Sequence, residues 1–127
     1  QEESGGDGEA AALLAPYLEA LAARREDRMM LAALALEKTP RRALLGVIGV
    51  LQSALRDAIF AGKGLPQPPV VAALRAQTQA LASAVSAARL LELYDFLSVL
   101  TDRVSRNAAA AAVTNALTSD AYRICFL

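Results

Sequence analysis

The chain has 127 residues, enough for one domain that buries about two-thirds of the surface its unfolded chain exposes. Thirteen basic and thirteen acidic residues cancel, so no global field draws in a polyanion such as DNA, and the lack of His removes the commonest general base and metal ligand at neutral pH. Ala occupies 29 positions and β-branched residues are few, so the composition favours helix nearly everywhere and predicts an all-α fold.

The lead Gln1-Glu2-Glu3-Ser4-Gly5-Gly6-Asp7-Gly8 is Gly-rich and acidic, with no initiator Met and no basic n-region. Residues 1–8 therefore read as a linker remnant and 9–127 as a helical domain, the whole a fragment cut from a longer protein. A first helix is expected from Glu9 to Ala23, with Leu13, Leu14, Tyr17, Leu18 and Leu21 apolar; Pro16 either kinks it or marks its first turn. Arg24-Arg25-Glu26-Asp27-Arg28 reads as a charged connector before a short second helix, Met29 to Glu37, which ends at Lys38-Thr39-Pro40.

Thr39 and Pro40 make an N-cap and N1 pair for a long third helix that reaches about Ala61. Within it Leu44, Ile48, Leu51, Leu55 and Ile59 recur at intervals of three and four and form one apolar stripe. Gly46 and Gly49 remove side chains where a second helix can approach closely, each at roughly 1 kcal/mol of helix propensity. Gly62 to Pro69 is a loop. Pro69 opens a fourth helix from Val70 to about Leu81, and Ser83 or Ser86 caps a fifth that continues to Arg106. Leu90, Leu93, Leu97, Leu100 and Val104 line one face of that fifth helix. Asn107 ends it in the left-handed conformation, an Ala-rich helix runs from Ala108 to about Leu117, and the tail Ser119 to Leu127 is apolar enough to dock. The sum is an antiparallel bundle of five to six helices.

The uncharged runs Ala43 to Leu55 and Ala76 to Ala88 stop short of the roughly 20 apolar residues that span a bilayer, so the expectation is a soluble, cytoplasmic protein with no membrane partner. The single Cys125 cannot form an internal disulfide. One Cys without His cannot make a tetrahedral zinc set, and Gly62-Lys63-Gly64 lacks the spacing and the hydroxyl residue of a phosphate loop. Glu92, Asp95, Asp102 and Arg103 read as a solvated face rather than a catalytic dyad. No catalytic, cofactor-binding or metal-ligating residue is nominated. Arg56 and Asp57 point about 100° apart on the helix, so each needs its own partner: solvent, a neighbouring helix or another subunit. Ala80, Ala82, Ala84, Ala87, Ala88 and Ala108 to Ala112 thin the helix surfaces for close packing, inside the bundle or against another subunit.

Taken in order, APYLEALAARREDRMMLAALALEKTPRRALLGVIGVLQSALRDAIF, the Gly-Pro loop, ARLLELYDFLSVLTDRVSRN and a final Ala-rich helix resemble the C-terminal domain of bacterial clamp-loader subunits of DNA polymerase III, most of all the delta-prime type. Members of that family carry a long helix ending in Leu-Gln-x-x-Leu-Arg-Asp-Ala, matched by Leu51, Gln52, Leu55, Arg56, Asp57 and Ala58. They also carry a late helix ending in Arg-Asn, matched by Arg106 and Asn107; this chain departs at Ala109, where members often have a second Asn. The resemblance implies a collar, in which the helical domains of several subunits form a ring while the sliding clamp is opened and placed on primed DNA. It implies partners among the delta and gamma/tau subunits, and contact with clamp and DNA only through the whole complex. It also implies that no cofactor or reaction belongs to this segment, the ATPase and polymerase activities lying elsewhere in the assembly. Gln52, Arg56, Asp57, Arg106 and Asn107 become candidate subunit-contact positions. A gamma/tau-type collar is the close variant. From a different class, the ligand-binding domain of a helical transcriptional regulator would require an internal apolar pocket of roughly 300 to 1,000 Å³.

Overall fold

The computed structural model describes residues 2–106 and 109–127, with side chains described for 8–106, 109 and 111–127. The described residues are all helix and connecting turn, as the composition predicts. The elements are α1 (Glu2–Ala22), α2 (Glu26–Glu37), α3 (Arg41–Gly62), a 3-10 turn (Ala72–Leu74) leading into α4 (Arg75–Ala84), and α5 (Ala87–Ser105). They end with α6 (Ala110–Asn115), which passes through a π-helical segment (Ala116–Asp120) into α7 (Ala121–Phe126). The last three form one continuous rod, so the described chain is a bundle of six helical rods.

The expected apolar stripes build the core. Leu44, Ile48, Leu51 and Leu55 of α3 are buried, as are Leu90, Leu93, Leu97, Leu100 and Val104 of α5, and these two helices make the most extensive pairing in the bundle. Leu14, Tyr17, Leu18 and Leu21 of α1 close the core from one side, Leu74 and Leu81 around α4 from another. Each such side chain contributes roughly 1.5 to 3 kcal/mol when fully buried. By length and composition α3 is apolar enough to cross a membrane, but a core helix shares that composition, and here its stripe lies against α5, α4 and α1.

Several boundaries differ from the expectation. The lead read as a linker is helical from Glu2 onward: once a helix is nucleated, each added residue gains a hydrogen bond, which carries Gly5, Gly6 and Gly8 despite their low propensity. Pro16 neither starts nor ends α1; it sits inside the helix on an exposed position. The charged connector shrinks to three residues, because α2 begins at Glu26 with Glu26 and Asp27 in its first turn, where the helix dipole favours acids. The junction before it is a Schellman closure. Arg25 N–H donates to Ala20 O at 2.9 Å and Arg24 N–H to Leu21 O at 3.1 Å, with Arg24 at φ 59° in the position usually held by Gly. The Arg24 guanidinium then lies 4.7 Å from the centre of the Phe126 ring, a cation–π contact that joins this turn to α7.

Pro40, not Thr39, is the N-cap of α3; at φ −57° and ψ 149° it makes the turn by its backbone, and no side chain caps the helix. The other end closes as a second Schellman motif, with Leu65 N–H on Phe60 O at 3.0 Å and Gly64 at φ 70°, a conformation that glycine adopts without strain. Ser86 is the cap of α5, its hydroxyl accepting from Arg89 N–H at 3.3 Å. The fourth helix starts later than Val70, because the Val70 and Val71 amides are engaged elsewhere. Asn107 and Ala108 lie outside the described residues, so the expected left-handed stop falls there as well.

Two packing expectations are corrected. Gly46 and Gly49 are exposed, and among the described residues a methyl at either would meet nothing within 4 Å, so no described helix side chain approaches over them. Ala80, Ala84, Ala88, Ala109 and Ala111 are exposed too, with Ala82, Ala87 and Ala112 half-buried, so the Ala-rich stripes do not form the inner seams. The inner small residues are Ala33, Ala54, Ala58 and Ala121.

Candidate functional site

Gln52, Arg56 and Asp57 share the C-terminal half of α3, and the bundle uses two of them internally. Gln52 Nε2 donates to the Tyr94 carbonyl at 3.0 Å and to Ser98 Oγ at 2.9 Å, a polar staple between α3 and α5. Asp57 is buried, and each carboxylate oxygen accepts a backbone N–H from the loop that follows: Val70 N at 2.8 Å and Val71 N at 2.9 Å. Those two amides would otherwise be orphaned at the start of the 3-10 turn, so Asp57 acts as a capping residue delivered from another helix. Charge-assisted bonds of this kind are about twice as strong as neutral ones. The carboxylate is thereby committed to the fold.

Arg56 remains at the surface. Its guanidinium lies 4.4 Å from the centre of the Phe60 ring and 3.9 Å from Asp57 Oδ1. Adjacent residues on a helix diverge, as expected, yet the long Arg side chain turns back far enough to touch its neighbour. Arg56, Ile59 and Phe60 of α3 with Leu91 and Tyr94 of α5 line a shallow groove of about 180 Å³. Arg106 is exposed beyond α5 and pairs with Asp102 at 3.5 Å. Nothing brings it near the Gln52–Asp57 group, and Asn107 lies outside the described residues.

Chemistry elsewhere is sparse. No group of three or more His, Cys, Asp or Glu is arranged to hold a metal ion among the described residues. Cys125 is buried, and burial pushes its thiol up to about 11, with Arg89 pulling down and Glu92 pushing up less strongly. Tyr17 is wholly buried and its hydroxyl has no hydrogen-bond partner among the described residues. Burial first, and then the neighbouring Cys125, raise the phenol well above its usual range. Arg89 Nη1 donates to Ile124 O at 3.0 Å and fastens α7 to α5. A second cross-link joins α6 to α2, where Thr114 Oγ1 donates to Glu37 Oε2.

What the sequence did not single out is the outer face of α2. Leu31 is 69% exposed, Leu34 40% and Met30 37%, although all three belong to an uninterrupted apolar run. Between α1 and α2 a groove open to solvent is floored by Ala20, Ala23, Ala32 and Ala35 and bordered by Arg25 and Arg28. The fork of Arg25 on Asp27, with bonds of 3.1 and 2.9 Å, holds the Arg25 proton more tightly and lowers the Asp27 carboxyl below its ordinary range. The signal for an exposed face was present in the charged positions that bracket the run, Asp27 and Lys38.

No protein-family model, curated protein or solved structure matches the chain.

Proposed function

We propose that this chain is the helical collar domain of a bacterial clamp-loader subunit of delta-prime type, which holds delta and gamma/tau subunits in register while the full complex loads the sliding clamp on primed DNA. The observation that carries the reading is the run from Leu51 to Ala58, which resembles the pattern ending the long helix in that family. Support comes from how the run is used: Leu51, Leu55 and Ala58 are buried, Gln52 ties α3 to α5, and Asp57 fixes the following loop. Five of the six matched positions therefore seat a long helix in its bundle, which makes the pattern a signature of a fold. Arg56 alone faces outward, beside exposed Leu91 on α5.

A scaffold role needs no cofactor and no reaction within these residues, and it implies a cytoplasmic location. Interfaces of that kind are large and rather apolar, which suits the outward Leu91 and Val99 on α5. The test is co-purification of delta and gamma/tau subunits with the parent subunit, with and without residues 9–127. Recovery that depends on the segment is expected; undiminished recovery without it would contradict the reading. Charge reversal at exposed Asp95 on α5 should weaken recovery while leaving helix content unchanged.

A further inference from the structure

We propose that the cavity under the loop from Gly62 to Pro69 binds a free α-amino acid with an apolar side chain. The end of α3, the loop and the first turns of α4 frame a space of about 370 Å³ that opens to solvent on one side. A space of that size is within the range of small-molecule sites. Its roof is held at both ends: Leu65 N–H donates to Phe60 O, and the Val70 and Val71 amides donate to Asp57. The walls are therefore in place before a ligand arrives, which lowers the cost of binding.

The lining holds one residue of each sign, Asp57 and Arg75, and the two form no ion pair with each other. Opposite charges that line one cavity unpaired suit a ligand that carries both. A carboxylate offers about four acceptor sites, of which the loop amides take two on Asp57. Arg56, at 3.9 Å, lies beyond hydrogen-bond reach of it. The open sites can accept from an ammonium. Thr78 adds a further acceptor: it is 2% exposed, and its hydroxyl donates its proton to Arg75 O at 3.0 Å, which leaves the oxygen lone pairs open. Arg75 is exposed and has no carboxylate partner among the described residues, and its planar fork matches a carboxylate with two bonds. The remaining polar side chains, Gln67 and Gln79, are neutral amides that can bond to either end. Phe60, Leu65 and Pro66 supply the apolar wall for the side chain.

The measurement is an NMR titration of the backbone amides of the whole chain, with L-leucine and L-phenylalanine as probes. Saturable shifts centred on residues 57–79 are expected, with a Kd on the order of 0.1 to 1 mM. L-leucine methyl ester lacks the carboxylate and N-acetyl-L-leucine lacks the ammonium. Each should bind at least about tenfold more weakly than L-leucine, because each leaves one charged group of the cavity without its partner. Arg75→Gln should weaken L-leucine about tenfold and leave the ester unchanged, with far-UV circular dichroism confirming intact helices. No saturation by either amino acid below about 10 mM overturns the proposal. Shifts centred elsewhere, blocked forms that bind as well as L-leucine, or a variant at Arg75 that binds as the parent does would each overturn it too.

Discussion

The α3–α5 pair and the α2 helix are both rich in apolar residues, and they use them in opposite ways. On α3 and α5 most of the large side chains fall on one stripe that turns inward, with Leu91 and Val99 left outside, and the polar residues at its edge, Gln52 and Asp57, are drawn in with it to bond the backbone of neighbouring segments. On α2 the apolar residues go round the helix: Met29, Ala33 and Leu36 fill the core while Met30, Leu31 and Leu34 look out. The difference teaches that a polar residue in an apolar run can be more deeply committed to the fold than a leucine. Burial follows the face, and chemistry follows what the face meets.

The comparison breaks first at Leu97. Its full burial between α5 and the rest of the core predicts a loss of about 2 to 5 kcal/mol for Leu97→Ala in urea unfolding; an unchanged midpoint would mean that the stripe is not the core. Next in size is an alkaline effect on the seam of α7. The folded Cys125 thiol, at about 11 against an ordinary 9.0, holds its proton more tightly than the unfolded one. The stability linked to it is complete below about pH 9 and is lost as pH rises through 11, a fall on the order of 2 to 3 kcal/mol. Thermal unfolding between pH 7 and 11 should show that slope, flattened in Cys125→Ala; equal slopes would remove Cys125 from the account.

Smaller effects sharpen the contrast. Gln52→Ala should cost about 1 kcal/mol, since one of its two bonds to α5 is half-buried and the other exposed. Tyr17→Phe should stabilise by up to about 1 kcal/mol, because it deletes a buried hydroxyl without a partner among the described residues and leaves the ring in place. Destabilisation by Tyr17→Phe would show that the hydroxyl makes a bond that counts.

Where periodicity and burial coincide, the fold was legible from the residues. The α3 and α5 stripes and the Gly-Pro loop follow from spacing and local chemistry alone, and the cap of α5 was narrowed to Ser83 or Ser86, of which the structure uses Ser86. The start of α2 did not, because Glu26 and Asp27 suit a first helical turn as well as a charged connector. Nor did the Pro40 cap, which is a backbone effect with no side-chain signature. Gly46 and Gly49 promised a close helix contact, yet absence of a side chain says only that an approach is allowed. Asp57 was legible as a residue needing a partner; its partners, two amides 13 and 14 residues further on, depend on where the loop returns. Within the apolar run of α2 nothing says which side the core takes, and only the flanking charges Asp27 and Lys38 mark the outer line.

Urea unfolding of Asp57→Ala beside Leu31→Glu tests the contrast between these regions most directly. The account predicts a loss of about 2 to 3 kcal/mol for Asp57→Ala, which strands one buried and one part-buried amide, and a change within about 0.5 kcal/mol for Leu31→Glu, which alters only the surface. Equal losses, or a larger one for Leu31→Glu, would contradict it.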